Sequence, residues 1–376
     1  MAKLNEQEAI TKLLIKEMNK GHDLPIAFSL NESNPTEVKD FISTGCTTLD
    51  YCIANRRNGG IPAGKLTEIV GEEASGKSLL ATQILANTQK KGGIAVLFDT
   101  ENAANPDFMK RVGLDAAKLV YMQPGCIEDC YETIEKIITA ARAKDTECPV
   151  TIVWDSTAAT PPRVELETSD YDPNSRIGLA AKAHAKGLRM LTKSIGYDKV
   201  TLVFCNQLKV KIGVMYGDPM TTPGGKAVPY HASIRIKLVK GKPVEEGESA
   251  KLKEHVGVMS KATVFKSRLG PPKRAASFNI LFSSGVDDLS SIRDYLWEKR
   301  GFIVKAGGWM KMPGPDGKEL KFRENEWASL MKDKTVYDYV LDKLEKFMVV
   351  TYDDEDVPDY DFDENSLLEV EGAIDE

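Results

Sequence analysis

The sequence predicts an α/β protein: a mainly parallel central sheet covered by helices, organised around a phosphate-binding loop, with a small α/β unit at the C-terminal end. Two observations carry this. Five short apolar runs alternate with longer helical stretches, the pattern of βαβ units. Between the first run and its helix stands GEEASGKS at 71–78, which matches G-x-x-x-x-G-K-[ST] in its required setting. A third observation, three later apolar runs with no helix between them, predicts an antiparallel edge.

The N-terminal stretch Leu4–Asn19 places Ile10, Leu13, Leu14 and Met18 on one helical stripe, and Lys20-Gly21 reads as its stop. Pro25 opens a short extended segment, Ile26–Leu30. A lone helix and strand cannot bury their apolar faces, so they pack either on their own core or on a neighbouring subunit. The parallel strands are expected at Leu66–Val70, Ile94–Phe98, Leu119–Met122, Val150–Trp154 and Val200–Cys205, with helices such as Leu79–Lys90 and Asp129–Ala143 between them. The edge strands follow at Ser233–Val239, Ala262–Lys266 and Ser277–Phe282, and residues 288–350 form the small unit, with a PGPDG turn at 313–317.

Composition narrows the function classes. Apolar residues at 42% and charged residues at 28% are ordinary for a soluble globular chain of 376 residues. No apolar run approaches the roughly 18 residues of a membrane span. The N-terminus MAKLNEQEAI lacks the apolar segment of a signal peptide, and six irregularly spaced cysteines point to a reducing cytoplasm. Cys126 and Cys130 can share a helix face, but no further Cys/His cluster completes a zinc site. The net charge is −6, yet residues 349–376 hold twelve acidic and no basic residues, which leaves the rest of the chain at +6. Such a tail is either a solubilising segment or a competitor for nucleic acid.

The phosphate loop implies a bound nucleotide and Mg²⁺. The backbone of Gly71, Glu72, Glu73, Ala74, Ser75 and Gly76 would curl around phosphate oxygens, Lys77 would supply a charge, and Ser78 would hold the metal. Three other strands end in polar residues, where α/β sheets place their ligands. Asp155-Ser156 suits a carboxylate that orients hydrated Mg²⁺, and Thr100-Glu101 offers a base for the attacking water. Asn206-Gln207 opens an irregular stretch with glycines at 213, 217, 224 and 225 and lysines at 209, 211 and 226. A long irregular loop in a compact domain is usually functional or mobile.

STGCTTLDYCIA, GGIPAGKLTEIVGEEASGKS, DTENAANPDF, IVWDSTAATP, RIGLAAKAHAKGLRML and NQLKVKIGVMYGDPMTTPGGKA, in that order, make the chain resemble the RecA family of ATP-dependent DNA recombinases over Leu4 to Val350. The resemblance implies a RecA-type core at 42–287, an N-terminal oligomerisation helix and strand at 1–41, a C-terminal domain at 288–350 and an acidic tail at 351–376. It implies that Glu101 activates water, that Asp155 is the second metal-site carboxylate, and that Phe108 stacks on adenine. Gln207 would sense the γ-phosphate. Lys266 and Arg268 would reach the ATP of a neighbouring subunit, with Arg268 where the family usually has lysine. Residues from about Pro161 to Gly178 would form a first DNA loop, in which Arg176, Lys182 and Arg189 contact phosphates, Ile177 wedges between bases and Gly178 approaches the backbone. In the second loop the same work would fall to Lys209, Lys211, Ile212, Met215, Gly224, Gly225 and Lys226. Arg268, with Tyr230 and His231 in place of the commoner Phe-Tyr pair, marks a divergent member, bacterial or phage-encoded.

The implied partners are single- and double-stranded DNA, further copies of the chain in a helical filament, and single-strand-binding and loader proteins in the cytoplasm. A ring-forming helicase and a nucleotide-gated DNA scaffold share the same motifs. A small-molecule kinase fits the phosphate loop but leaves the 204–227 stretch and the acidic tail without a role.

Overall fold

The computed structural model describes residues 2–22, 25–31, 34, 36–143, 148–167, 178–210, 220–246 and 254–351. It opens with helix α1 (Ala2–Met18), as the 3.6-residue period predicts. The stripe of that helix faces solvent: Ile10, Leu13, Leu14 and Met18 are each more than half exposed. Residues 26–29 form no strand. A ladder needs a partner, and here the Asn19 side chain takes the segment's polar groups, accepting from Ile26 N at 2.8 Å and Ala27 N at 2.9 Å. The expected helix is therefore present, and the expected strand is absent among the described residues.

A two-stranded antiparallel pair, β1 (Phe41–Ile42) and β2 (Ile61–Pro62), encloses the buried helix α2 (Thr47–Ala54). The main α/β run follows: β3 (Leu66–Gly71), α3 (Lys77–Lys90), β4 (Ile94–Asp99), α4 (Pro106–Arg111), β5 (Leu119–Met122), α5 (Ile127–Arg142), β6 (Val150–Asp155), α6 (Arg163–Leu166), α7 (Leu179–Asp198) and β7 (Val200–Gln207). Next come a short ladder of β8 (Lys209–Val210) with β9 (Met220–Thr221), then α8 (Ala227–His231) and the strands β10 (Ile234–Glu246), β11 (Glu254–Ser267), β12 (Arg274–Leu281) and β13 (Gly285–Asp287). The stretch after Gln207 is thus not wholly irregular. Its stem is a ladder too short to leave a period-two signature in the sequence.

The central sheet has nine strands among the described residues, in the order β13-β12-β11-β10-β3-β7-β6-β4-β5. The six from β10 to β5 are parallel and the remaining pairings are antiparallel, as the lack of intervening helices predicts. Both faces are covered, which is why the parallel strands read as continuous apolar runs rather than alternating ones. Ile69, Leu97, Val153 and Val203 join the cluster under α2 and α3, while Phe98, Ile152, Trp154 and Phe204 join the one under α5 and α7.

The C-terminal segment holds α9 (Asp288–Asp294), a three-stranded antiparallel sheet of β14 (Val304–Ala306), β15 (Trp309–Pro313) and β16 (Glu319–Phe322), then α10 (Trp327–Leu330) and α11 (Lys334–Met348). The PGPDG sequence makes the turn between β15 and β16, closed by Gly314 N to Lys318 O at 2.7 Å. Asp333 caps α11, accepting from Thr335 N at 2.8 Å. The buried residues of this unit, among them Ile292, Trp327, Val340 and Leu344, are continuous with the cluster under α2 and α3. No helix of the described residues is long and apolar enough to cross a membrane.

Candidate functional site

The phosphate loop joins β3 to α3. Helix α3 begins at Gly76, with φ of 94° and no side-chain cap, so its first N–H groups are left for a ligand. A side chain at Gly76 would also meet Ile280 Cδ1 at 2.8 Å, and one at Gly71 would meet Leu238 O at 2.7 Å. Lys77 is buried and folds over the loop, donating to Gly71 O at 3.1 Å and Glu72 O at 2.8 Å. Ser75 Oγ donates to Glu72 O at 2.8 Å, and Ser260 Oγ holds Ser75 O at 2.8 Å from β11. Beside the loop opens a cavity of about 450 Å³, lined by residues 74–79 with Lys240, His255 and Phe282.

The three polar strand ends converge on this loop. Asp155 closes β6 and lines one small cavity with Ser78, whose hydroxyl favours the charged form of its carboxyl. Burial pushes the Asp155 carboxyl up; Glu101 and Asp99 add to the effect, and Ser78 and Lys77 oppose it. Glu101 is exposed at the end of β4, and one of its oxygens accepts from Ser156 Oγ. The same oxygen lies 3.4 Å from Gln207 Nε2 at the end of β7. Ser78, Asp155, Glu101 and Gln207 therefore surround the mouth of one phosphate loop. Phe108, at the start of α4, is 7% exposed and lines a small cavity with Ser78, Asp99 and Asp155.

Of the expected DNA contacts, Arg176, Ile177, Lys211, Ile212 and Met215 lie outside the described residues. Gly178 is the N-cap of α7, with φ of 87°. Lys182, Lys186 and Arg189 follow on one exposed face of that helix at i, i+4 and i+7. Lys209 and Lys226 are exposed at the two ends of the second loop, and Gly224 and Gly225, with φ of 84° and 74°, form its return turn.

Behind these loop ends sits His184, 1% exposed, with Tyr131 OH 2.9 Å from its Nδ1 and the Trp154 ring centroid 5.5 Å away. Burial pushes its pKa down to about 4, with Glu128 opposing weakly. A histidine that is neutral in the fold but free to charge when unfolded contributes stability above about pH 6.5 that is lost as pH falls toward 4. With about 1.4 kcal/mol per unit, the full loss is about 3 kcal/mol. His184→Met should flatten the acid limb of the stability profile. The check is the unfolding midpoint of both proteins from pH 7 to pH 4.5; parallel acid limbs would contradict it.

Lys266 and Arg268 stand apart from the chain's own phosphate loop. Lys266 pairs across β10 with Arg235, which pairs with Glu68 on β3, and Arg268 N bonds to Ser233 O beside Leu66. The strand rises about 16 Å from Leu66 to Gly71 and about 10 Å from Glu68, so Arg268 sits at its far end and Lys266 at its middle. Lys266 Nζ donates to Pro229 O at 2.8 Å and Tyr230 O at 3.1 Å, and Arg268 Nη2 to Tyr230 O at 3.3 Å, all at the end of α8. Burial and the neighbouring Arg268 push the Lys266 pKa down.

Sequence reasoning missed several residues that hold the site. Asp99 accepts from Ala103 N at 3.1 Å, Ala104 N at 3.0 Å and Tyr121 OH at 3.0 Å, which shapes the turn carrying Glu101. Glu68 is fully buried; it accepts from Arg235 Nε at 2.6 Å and from Asn206 Nδ2 at 3.0 Å. A glutamate inside the apolar run LTEIV was the available signal, because a buried charge requires a partner. Phe282, 43% exposed on the large cavity, offers an aromatic face that the strand pattern alone did not single out.

A family model described as the RecA N-terminal domain matches residues 9–287. The chain is 35% identical over 329 residues to Protein RecA of Clostridium acetobutylicum, covering 86% of this chain and 88% of that one. It is 36% identical over 341 residues to Protein RecA of Wolinella succinogenes, with coverages of 90% and 91%. Against Protein RecA of Trichormus variabilis it is 32% identical over 372 residues, with coverages of 96% and 97%.

Proposed function

The chain belongs to the RecA family, and on that premise we propose that it is an ATP-dependent recombinase, a DNA-dependent ATPase acting in recombination and repair. In this reading it assembles as a filament on single-stranded DNA and pairs that strand with a homologous duplex. Sequence specificity then comes from base pairing, while the protein holds phosphates through Lys182, Arg189, Lys209, Lys226 and loop amides. The undescribed Arg176, Ile177, Lys211, Ile212 and Met215 belong to the same proposal.

The nucleotide is held by the loop N–H groups and Lys77. The residues present suit Mg²⁺: a hydroxyl at Ser78 beside a carboxylate at Asp155 is a sparse oxygen set of the kind that ion uses beside phosphate. Bound there, Mg²⁺ would neutralise charge on the phosphate oxygens. Glu101 accepts a proton from the attacking water, and Phe108 belongs to the adenine side. Lys266 and Arg268 serve the ATP of the adjacent subunit. The exposed stripe of α1, with residues 26–30 behind it, is the oligomerisation unit at 1–41, followed by a core at 42–287, a C-terminal domain at 288–350 and the acidic tail at 351–376. A cytoplasmic setting and single-strand-binding and loader proteins complete the reading.

The observation that carries the coupling is the 3.4 Å approach of Gln207 Nε2 to Glu101 at the mouth of the phosphate loop, two residues before Lys209. A bound γ-phosphate would compete for Gln207 and draw it from Glu101, and Gln207 would pass that shift to Lys209 two residues on. Gln207→Ala should leave ATP affinity within about twofold of the unaltered protein while abolishing the stimulation of hydrolysis by single-stranded DNA. Unchanged stimulation would refute the sensor role.

A further inference from the structure

We propose that His184 is a positioning residue for DNA-dependent activation: it seats the Gly224–Gly225 turn against α7 and so ties the ends of both DNA loops to the strand that carries Asp155. The inference rests on the DNA-dependent ATPase reading above and deepens it.

Helix α7 starts at Gly178, where the first DNA loop ends, and His184 lies within its first two turns. The return of the second loop packs on the same helix face. A Cβ on Gly224 would come within 3.0 Å of His184 Cδ2 and 3.3 Å of Nε2, and one on Gly225 within 2.6 Å of Ala181 Cβ. Ala181 and His184 are three residues apart, so a single face receives both glycines. The imidazole is held from behind. Tyr131 OH is 2.9 Å from Nδ1, and the Tyr131 ring fits because position 187 is glycine; a Cβ there would lie 2.3 Å from Tyr131 Cδ2. With Tyr131 donating, the ring proton sits on Nε2, on the edge that faces Gly224.

The cluster continues to the nucleotide side. Trp154 packs on His184 and edge-on to Tyr131 at 5.5 Å, and it immediately precedes Asp155. Its indole N–H donates to Thr160 Oγ1 at 2.9 Å, and Thr160 Oγ1 lies 2.9 Å from Ser156 O and 3.1 Å from Thr100 Oγ1, next to Glu101. Asn206 Nδ2 reaches Pro223 O at 3.3 Å, linking the residue before Gln207 to the residue before Gly224. Displacing the Gly224–Gly225 backbone therefore moves the amides offered to DNA without touching the phosphate loop.

The test is ATP hydrolysis by the full chain across a range of single-stranded DNA concentrations, with nucleotide KM and DNA-free rate measured in parallel. His184→Ala should raise the DNA concentration for half-maximal stimulation about tenfold, with the DNA-free rate and the KM for ATP unchanged. Tyr131→Phe, which removes one oxygen and tests the same contact if the alanine variant fails to fold, should shift it in the same direction by less. His184→Asn, which keeps an acceptor for Tyr131, should recover part of the loss. Because the two residues act through one contact, the double variant should be no worse than His184→Ala. Unaltered half-saturation in His184→Ala and Tyr131→Phe, or a DNA-free rate that falls in the same proportion, would overturn the proposal. An unaltered protein with no DNA stimulation at all would instead overturn the reading on which it rests.

Discussion

Glu101→Gln is expected to lower ATP turnover by roughly 10²- to 10⁴-fold, the span of a general base, while ATP affinity stays near that of the unaltered protein. The amide keeps the shape of the side chain and can still meet the Ser156 hydroxyl, but it cannot take the proton of an attacking water. Glu101 is exposed at a strand end, held by Ser156 and approached by Gln207, while in the proposed reading Lys77 and the loop N–H groups do the binding. Turnover falls with KM preserved because the interaction is made in the transition state and not in the ground state. Isothermal titration with ATP and a steady-state assay separate the two. A parallel loss of affinity would reassign Glu101 to binding.

Lys266→Ala is expected to cost about 10³-fold in DNA-stimulated turnover, the lower range for a cation that stabilises the transferring phosphoryl group from a neighbouring subunit. Its ammonium is held at the end of α8 and not at its own phosphate loop, so in the proposed reading the loss should be complemented in trans. In an equal mixture of Lys266→Ala and Glu101→Gln proteins, about a quarter of head-to-tail interfaces pair an intact Glu101 with an intact Lys266. Activity near that fraction of the unaltered rate is the expected result. A mixture as inactive as either protein alone would place Lys266 outside the catalytic interface. Retaining Arg268 does not compensate, because a planar guanidinium and a compact ammonium present charge differently.

What the sequence revealed was local. The phosphate loop, the strand ends at Thr100–Glu101, Asp155 and Gln207, and the antiparallel edge are written in runs of a few residues, where period and turn chemistry decide the outcome. The supports were hidden because they join distant positions. Glu68 is satisfied by Asn206 and Arg235, and His184 bonds to Tyr131 and lies beside Gly224, neighbours that only the folded chain brings together. The N-terminal segment shows the opposite limit. Its helix forms from its own period, but among the described residues 26–29 form no strand. The resemblance to the RecA family supplied what neither period nor spacing contains: the direction in which Lys266 acts and the identity of the polymer along which the loops lie.

The central claim, ATP-dependent homologous pairing, is tested most directly by the yield of joint molecules formed between a single strand and a duplex. With ATP and Mg²⁺ present, joint molecules should form with a homologous duplex and not with a heterologous one. Neither Lys77→Ala nor a reaction without nucleotide should produce them. Vigorous DNA-stimulated ATP hydrolysis with no joint molecules on homologous DNA would contradict the account and leave a DNA-activated motor or scaffold in its place.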